Sequence, residues 1–313
     1  MLRAGVRTAL GRVFGGPPFD LHGESGDPGL FGPGSASWRI IAEPAAIVGG
    51  VRSLLLQLTH PLAMAGVAEH SAFRTDGLGR LQRTSGYVTT LTFGTTPEAL
   101  TVTRAVRSAH ATVRGHARDG RPYAADDPHL LAWVSIAMTS SMLATDAAFA
   151  PEPADAGMRD RFVAEQARGA ALLDPRLDLA RLGADADRLV ALQRGELPLP
   201  MIDDGSLPTT VADLEAALDW YRRELAVDDH GREALRFLLW PPLPAATRAG
   251  YLPILAGALS TLPRDVRALL GVPRGRLSAA SARTGTRVAL AVLRAASGPS
   301  PAVAAATARA ERR

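Results

Sequence analysis

The sequence contains no cysteine, which excludes disulfides, thiolate-bound zinc, iron–sulfur clusters and cysteine nucleophiles. Any metal ion must therefore be bound by His, Asp, Glu or Tyr, or lie inside a cofactor that brings its own ligands. Aromatic residues are also scarce, at 5% of the 313 residues, whereas hydrophobic residues make up 47%. This composition, in which Ala and Leu dominate, favours helices over a strand-rich sandwich.

Lysine is missing as well, so arginine supplies all 35 basic residues. The simplest explanation is the nucleotide composition of the source genome, but the absence still excludes a catalytic lysine and a P-loop. The net charge of +4 is modest and spread along the chain. No helix-turn-helix or zinc-finger spacing accompanies the arginines, and we therefore expect no nucleic-acid partner.

Long uninterrupted apolar runs are absent from the N-terminal half. The most apolar stretch, 40–67, is broken by charged residues and prolines, which favours a buried helix pair over a membrane span. Residues 1–16 are basic and mildly amphipathic, but they lack a long apolar region and a cleavage site, so we expect no processing. We predict a cytoplasmic protein whose membrane contact is at most peripheral, through its first helix.

The composition divides the chain into three parts. Residues 1–37 are rich in Gly, Pro and Ser and are typical of an irregular N-terminal segment. Residues 38–297 show no strand-like alternation and no fixed repeat, which predicts a single all-α domain. Residues 298–313 form an Ala/Arg-rich tail, expected to be a frayed helix or disordered.

Several helix starts can be identified within this domain. Thr96-Pro97-Glu98 combines a hydroxyl cap, a proline at the first position and an acid in the first turn, and Asp126-Asp127-Pro128 repeats the signal. The run that follows, 129–149, is apolar nearly all round and should lie in the middle of the fold. Amphipathic helices are predicted over 158–172, 178–194, 210–226, 231–240, 245–258, 262–271 and 277–296.

One histidine has an apolar setting near a helix face. Val102, Val106, Ala109 and Val113 form an apolar stripe at helical spacing, and His110 lies on its shoulder. An imidazole there would emerge at the margin of the core, where a planar apolar cofactor could meet it. A hydrogen-bonded core histidine is the alternative, and periodicity alone favours that alternative.

An arginine-rich segment precedes this histidine. If residues 77–94 are helical, Arg80, Arg83, Thr84 and Tyr87 share a polar face. Guanidinium groups on one face can bind carboxylates bidentately. Asp76 lies four residues before Arg80, so an ordinary surface ion pair is the plainer interpretation.

The other histidines carry weaker signals. His60 precedes a proline, which indicates a helix-capping or turn role. Glu69 and His70 could form an acid/base pair, but sequence neighbours point to different sides of a helix. Helix capping also explains Asp127 and His129, with the adjoining Asp126, better than metal binding does.

Taken together, the segments resemble one oxygenase family. LQLTHPLAMAGVAEHSAFRTDGLGRLQRTSGYVTTLTFG and VRSAHATVRGHARDGRPYAADDPHLLAWV are similar to the family of latex-clearing rubber oxygenases and a fungal mycophenolic-acid-pathway oxygenase. DWYRRELAVDDHGREALRFLLWPPLP and LPRDVRALLG resemble its C-terminal half. The likeness runs from about residue 36 to 275. It implies an all-α fold with a globin-like core around one heme b.

The resemblance also implies roles for particular residues. His110 falls at the position of the axial iron ligand, which would supply neutral imidazole to the iron. Arg80 and Thr84 match the family's spacing of an arginine and a threonine, and would hold the propionate side of the heme. Arg83 and Tyr87 are further candidates for binding the cofactor.

The distal side departs from the family pattern. The rubber oxygenases carry a lysine just before the threonine, where this chain has Arg83. Their distal glutamate has no match, and Glu69 is the nearest acid. Weak catalytic candidates are His60, Glu69, His70 and Arg83, with the apolar helix 131–142 beside them. Polyisoprene cleavage is therefore not supported.

The sequence thus predicts a heme b-dependent oxygenase or oxidase that uses dioxygen on an apolar or amphipathic small molecule. An electron donor is a further expected partner. A different class remains open, namely a helical protein that binds heme or a lipid-like ligand, or senses a gas, without turnover. A helical interaction protein without heme is the third hypothesis.

Overall fold

The computed structural model describes residues 19–20, 26–71, 76–272, 279–298 and 300–312. Within these residues the fold is all-α, as predicted, apart from one short hairpin. The helices are α1 (Ala36–Ala42), α2 (Ala45–Gln57), α3 (Pro61–His70), α4 (Gly77–Phe93), α5 (Thr96–His110), α6 (Pro128–Phe149), α7 (Ala156–Ala171), α8 (Leu179–Gly183), α9 (Ala186–Arg194), α10 (Pro200–Asp203), α11 (Val211–Tyr221), α12 (Asp229–Leu239), α13 (Ala245–Thr261), α14 (Arg264–Leu269), α15 (Ala279–Ser297) and α16 (Pro301–Glu311).

The core is organised around α6, which is apolar on all sides and buried along most of its length. Trp133 and Ala137 of this helix are 0% exposed. Helix α2 packs along α6 at very short distance. A Cβ atom on Gly49 of α2 would lie 2.6 Å from Sδ of Met142 and 2.8 Å from Oγ1 of Thr145. The prediction that this segment lies in the middle of the fold is confirmed.

By length and composition alone, α6 could also cross a membrane. The structure instead buries 72% of its most apolar window inside the protein. Within the part of the chain that the structure describes, two bent helix pairs would bring the number of such candidates to three, and one of them joins α1 and α2 at 90°. That pair covers much of the apolar stretch noted in the sequence.

Helices α4 and α5 form a hairpin across the two-residue connection Gly94-Thr95. The cap of α5 is Thr95, one residue earlier than predicted, because its hydroxyl accepts from the Glu98 backbone N–H while the Glu98 side chain accepts from the Thr95 N–H. This reciprocal capping fixes the start of α5. Pro97 in the first turn agrees with the prediction.

Two features differ from the sequence expectations. Strands β1 (Arg114–His116) and β2 (Pro122–Ala124) pair antiparallel, with Gly115 opposite Tyr123. Each strand has three residues, too few to show alternation. The C-terminal tail forms helix α16, in which the buried Arg309 donates to the carbonyls of Asp27 and Phe93 at 3.1 and 2.8 Å.

The contact between α2 and α6 gives a test of the fold. Gly49→Ala should lower the free energy of unfolding by about 1–3 kcal/mol, because the added methyl overlaps Met142 and Thr145. Gly50→Ala is the matched control, since no atom lies within 4 Å of its Cβ position. That change should be neutral or raise stability by up to about 1 kcal/mol through helix propensity. Equal effects of the two substitutions in urea denaturation would contradict the packing.

Candidate active site

The α4–α5 hairpin carries Arg80 and His110 at the end away from its connection. The phenol of Tyr87 on α4 lies against Thr103 on α5, which sets the register of the two helices. Arg80 is seven residues before Tyr87, and His110 is seven residues after Thr103. Each step covers two helical turns, about 10 Å, away from the connection at Gly94-Thr95. Arg80 and His110 are therefore each about two turns from the Tyr87–Thr103 contact, towards the open end of the hairpin.

The three inner polar groups of this hairpin are at least half-buried. Burial lowers the pKa of His110, although Asp126 opposes the effect, so the imidazole is neutral at neutral pH. Burial also lowers the pKa of the Arg80 guanidinium, to which no described residue donates or accepts a hydrogen bond. The hydroxyl of Tyr87 is buried and lies near the side chain of Thr103. A ligand with acceptor oxygens would satisfy the guanidinium of Arg80.

The two outer residues of the predicted polar face are exposed. Arg83 forms an ion pair with Asp76, with 3.1 Å between Nη1 and Oδ2. Thr84 is exposed one position later. The interpretation of Asp76 as the partner of Arg80 is therefore wrong, because Arg83 takes that carboxylate.

The apolar stripe predicted for α5 is only partly correct. Ala99, Leu100 and Thr103 are the residues that α5 buries in its middle turns. Val102 and Val106 are half-buried, whereas Ala109 is exposed. The helix is therefore rotated from the predicted orientation. His110 stays half-buried at its C-terminal end.

Glu69 and His70 both contact the side chain of Tyr123. The buried Tyr123 hydroxyl donates to the carboxylate of Glu69, and Nε2 of His70 lies 3.1 Å from the same hydroxyl. Burial and then Glu69 raise the pKa of Tyr123 to about 12. Although Glu69 and His70 are sequence neighbours, both reach this hydroxyl from the end of α3. The expectation that they face different sides is wrong here, and the trio joins the end of α3 to strand β2 of the hairpin that follows α5.

A second cluster lies at the start of α6. Oε2 of Glu224 is 2.7 Å from Nε2 of His129 and 3.2 Å from Nε2 of His60. His60 is fully buried, whereas the other two are half-buried. Tyr221 stacks on the His129 ring, and its hydroxyl is 3.1 Å from Nδ1 of His129. Among the described residues, these three form the one group with metal-ligand geometry.

The predicted roles of these residues are confirmed in part. His60 caps α3, because its Nδ1 accepts from the Ala63 N–H at 3.4 Å. Asp127 caps α6 as expected. The interpretation of His129 as a capping residue is wrong, since its ring faces Glu224. No short motif marks this cluster in the sequence, as its members are separated by 69 and 95 positions.

Neighbouring groups in the second cluster act on the pKa values of Glu224 and His60. Burial lowers the pKa of His60, although the hydrogen bond and charge of Glu224 oppose the effect. Burial alone would raise the pKa of Glu224, but His129 and His60 outweigh it and hold that pKa below its ordinary value. The carboxylate is therefore ionised between two imidazoles.

Residues 38–295 match the family model described as "ER-bound oxygenase mpaB/B'/Rubber oxygenase, catalytic domain". The chain belongs to this family. It is an oxygenase, and the match extends over both clusters described above. No curated protein and no solved structure matches the chain significantly.

The ionisation of the tyrosines tests whether their hydroxyls are buried. The sequence has four, Tyr87, Tyr123, Tyr221 and Tyr251, and burial raises the pKa of each. Phenolate absorbance of the folded protein should therefore not rise at about pH 10, the ordinary value. Tyr123 should ionise first, at about 12.

The stability that these neutral phenols contribute should be complete below about pH 10 and lost as the pH rises through the folded-state values. Protein unfolded in guanidinium is the reference, and it should titrate at about pH 10. Tyr123→Phe should remove the first step of the native curve. Coinciding native and unfolded curves would show that the phenols are not buried.

Proposed function

We propose that the chain is a heme b-dependent oxygenase in which His110 provides the axial ligand to the iron. Membership of an oxygenase family supports the reaction class. The observation that carries the cofactor is a neutral, half-buried His110 at the same end of the α4–α5 hairpin as Arg80, whose guanidinium has no hydrogen-bond partner among the described residues. On this proposal the helices around α6 form a globin-like core. The substrate is an apolar or amphipathic small molecule, oxidised by dioxygen.

The hairpin offers the groups that heme b requires. A neutral imidazole at the end of α5 can bind iron. The Arg80 guanidinium can bind a propionate through charge-assisted hydrogen bonds, which would relieve the cost of burying an unpaired charge. Tyr87 supplies a buried hydroxyl to the same side. Thr84 and Arg83 lie at the exposed rim, where Arg83 can exchange Asp76 for the second propionate.

The bound heme would supply dioxygen binding and the redox chemistry, with electrons from a separate donor where the reaction requires them. The chain orients the cofactor through His110 and Arg80. Tyr123 on β2 forms a hydrogen-bonded chain with Glu69 and His70 at the end of α3, which makes these three residues the candidates for proton transfer. His60 is a weaker distal candidate, because its ring is directed at Glu224.

A non-catalytic heme or gas-sensing protein is the second candidate. It is favoured by one observation, that Arg83 stands where rubber oxygenases have a lysine and is held by Asp76 at the surface. Dioxygen consumption with reductant and apolar substrates separates the two, since a sensor binds gas without forming product. We further propose a cytoplasmic location with at most peripheral membrane contact.

The iron ligand can be tested directly. Protein expressed with ample heme should show a Soret band near one heme per chain, shifting with carbon monoxide after reduction. His110→Ala should abolish stoichiometric heme, because it removes the imidazole that binds the iron. His116→Ala is the matched control, since that histidine is exposed on β1 and should leave the spectrum unchanged. Full heme with an unaltered spectrum in His110→Ala would exclude this ligand.

The two arginines of α4 should differ in their effect on heme retention. Arg80→Gln should speed heme transfer to apomyoglobin by about 10-fold or more, because a charged hydrogen bond contributes about 1.5–3 kcal/mol. Arg83→Gln changes the same chemistry at an exposed position and should alter the rate by about 2-fold at most. A larger effect at Arg83 than at Arg80 would place the propionates at the rim instead.

A further inference from the structure

The distances in the second cluster suit a bound cation. A tetrahedral metal with ligands about 2.0–2.1 Å away holds those ligand atoms roughly 3.4 Å apart. The two nitrogen–oxygen distances to Glu224 are 2.7 and 3.2 Å, and all three ligand atoms lie within 4.8 Å of one another. The three side chains therefore need only small adjustments to surround one ion.

One tautomer of His129 presents a lone pair to Glu224. The Tyr221 hydroxyl donates to the His129 carbonyl at 2.8 Å, and in the tautomer with the ring proton on Nδ1 it accepts from that nitrogen at 3.1 Å. With its proton on Nδ1, a neutral imidazole presents the lone pair of Nε2 to the carboxylate of Glu224. Two acceptors 2.7 Å apart repel each other unless a proton or a metal ion lies between them.

The same hydrogen bond is typical of a metal ligand. Histidines that bind metals through Nε2 donate the other ring N–H to an oxygen, which fixes the tautomer and the ring plane. Tyr221 does this for His129, and its stacked ring holds the imidazole in place. Asp127 adds negative charge near Tyr221, whereas Arg121 is the cation that acts on Glu224 and His60.

We propose that His60, His129 and Glu224 form a binding site for a divalent transition-metal cation of the zinc class, separate from the heme. Two imidazoles and one carboxylate are ligands that Zn²⁺ accepts, and no thiolate is needed. Three protein ligands leave a position open. Because the His129 and Glu224 side chains are 34% and 26% exposed, a water molecule or a substrate oxygen can fill it.

Binding by His60 has one cost. Its Nε2 can bind a cation only when the ring proton lies on Nδ1, which ends the acceptance from the Ala63 N–H. That hydrogen bond is long, 3.4 Å, and thus weak. The ion would then connect the starts of α3 and α6 to the turn after α11.

The experiment uses the full chain after chelator treatment, with and without bound heme, and titrates Zn²⁺ by calorimetry. One ion per chain should bind in both states. Glu224→Gln and His129→Ala should each weaken binding more than about 100-fold, and Tyr221→Phe by about 10-fold. His116→Ala, which removes an exposed histidine, should leave the affinity unchanged. Co²⁺ should give the visible absorption of a tetrahedral site, which Glu224→Gln should abolish.

Far-UV circular dichroism and melting curves without metal establish that each variant folds. If the Glu224→Gln variant does not fold, the cobalt spectrum of the Tyr221→Phe variant is used in its place. Failure to bind Zn²⁺, or equal affinity in the folded Glu224→Gln, Tyr221→Phe and His116→Ala variants, would reduce the cluster to a hydrogen-bond network. Heme content is measured separately by its absorbance, so loss of heme and loss of zinc distinguish this proposal from the preceding one.

Discussion

The close contact between α2 and α6 is the constraint on which the other features depend. Gly49 permits that approach, and the buried Arg52 on the same helix donates to Ser141 of α6 at 2.8 Å. Its guanidinium also reaches the carbonyl of Thr261 at 3.3 Å, so one side chain joins α2, α6 and α13. Burial lowers the pKa of Arg52 to about 10, yet the group stays charged at neutral pH. A buried charge is tolerated only where such acceptors surround it.

This contact also determines where the histidines lie. Helix α2 ends three residues before His60, and α6 begins one residue before His129. The two rings are therefore brought within 6.0 Å by the packing of the helices that bear them. Glu224 arrives from the turn after α11, whose last residue, Tyr221, packs on Trp133 of α6. The cluster thus results from tertiary packing around α6.

The sequence predicted the features that depend on neighbouring residues, and it missed those that depend on residues far apart in the chain. The caps at Asp127 and His60, and the apolar helix α6, depend on residues within a few positions and were predicted correctly. The stripe on α5 was wrong at Ala109, because the helix buries the face that carries Ala99, Leu100 and Thr103. The Glu224 cluster depends on three segments far apart in sequence, and no local pattern records it. The resemblance to the oxygenases identified the family but predicted nothing about this cluster.

The two clusters have opposite electrostatic requirements, which favours separate ligands. The α4–α5 hairpin offers a neutral imidazole and a guanidinium with no hydrogen-bond partner among the described residues, a combination that attracts a ligand carrying carboxylates. The second cluster offers an ionised Glu224 between imidazoles, which attracts a cation. A free divalent cation beside Arg80 would be repelled by the positive guanidinium. A propionate beside Glu224 would be repelled by the negative carboxylate. Exchange of the two ligands would therefore place like charges together at both sites.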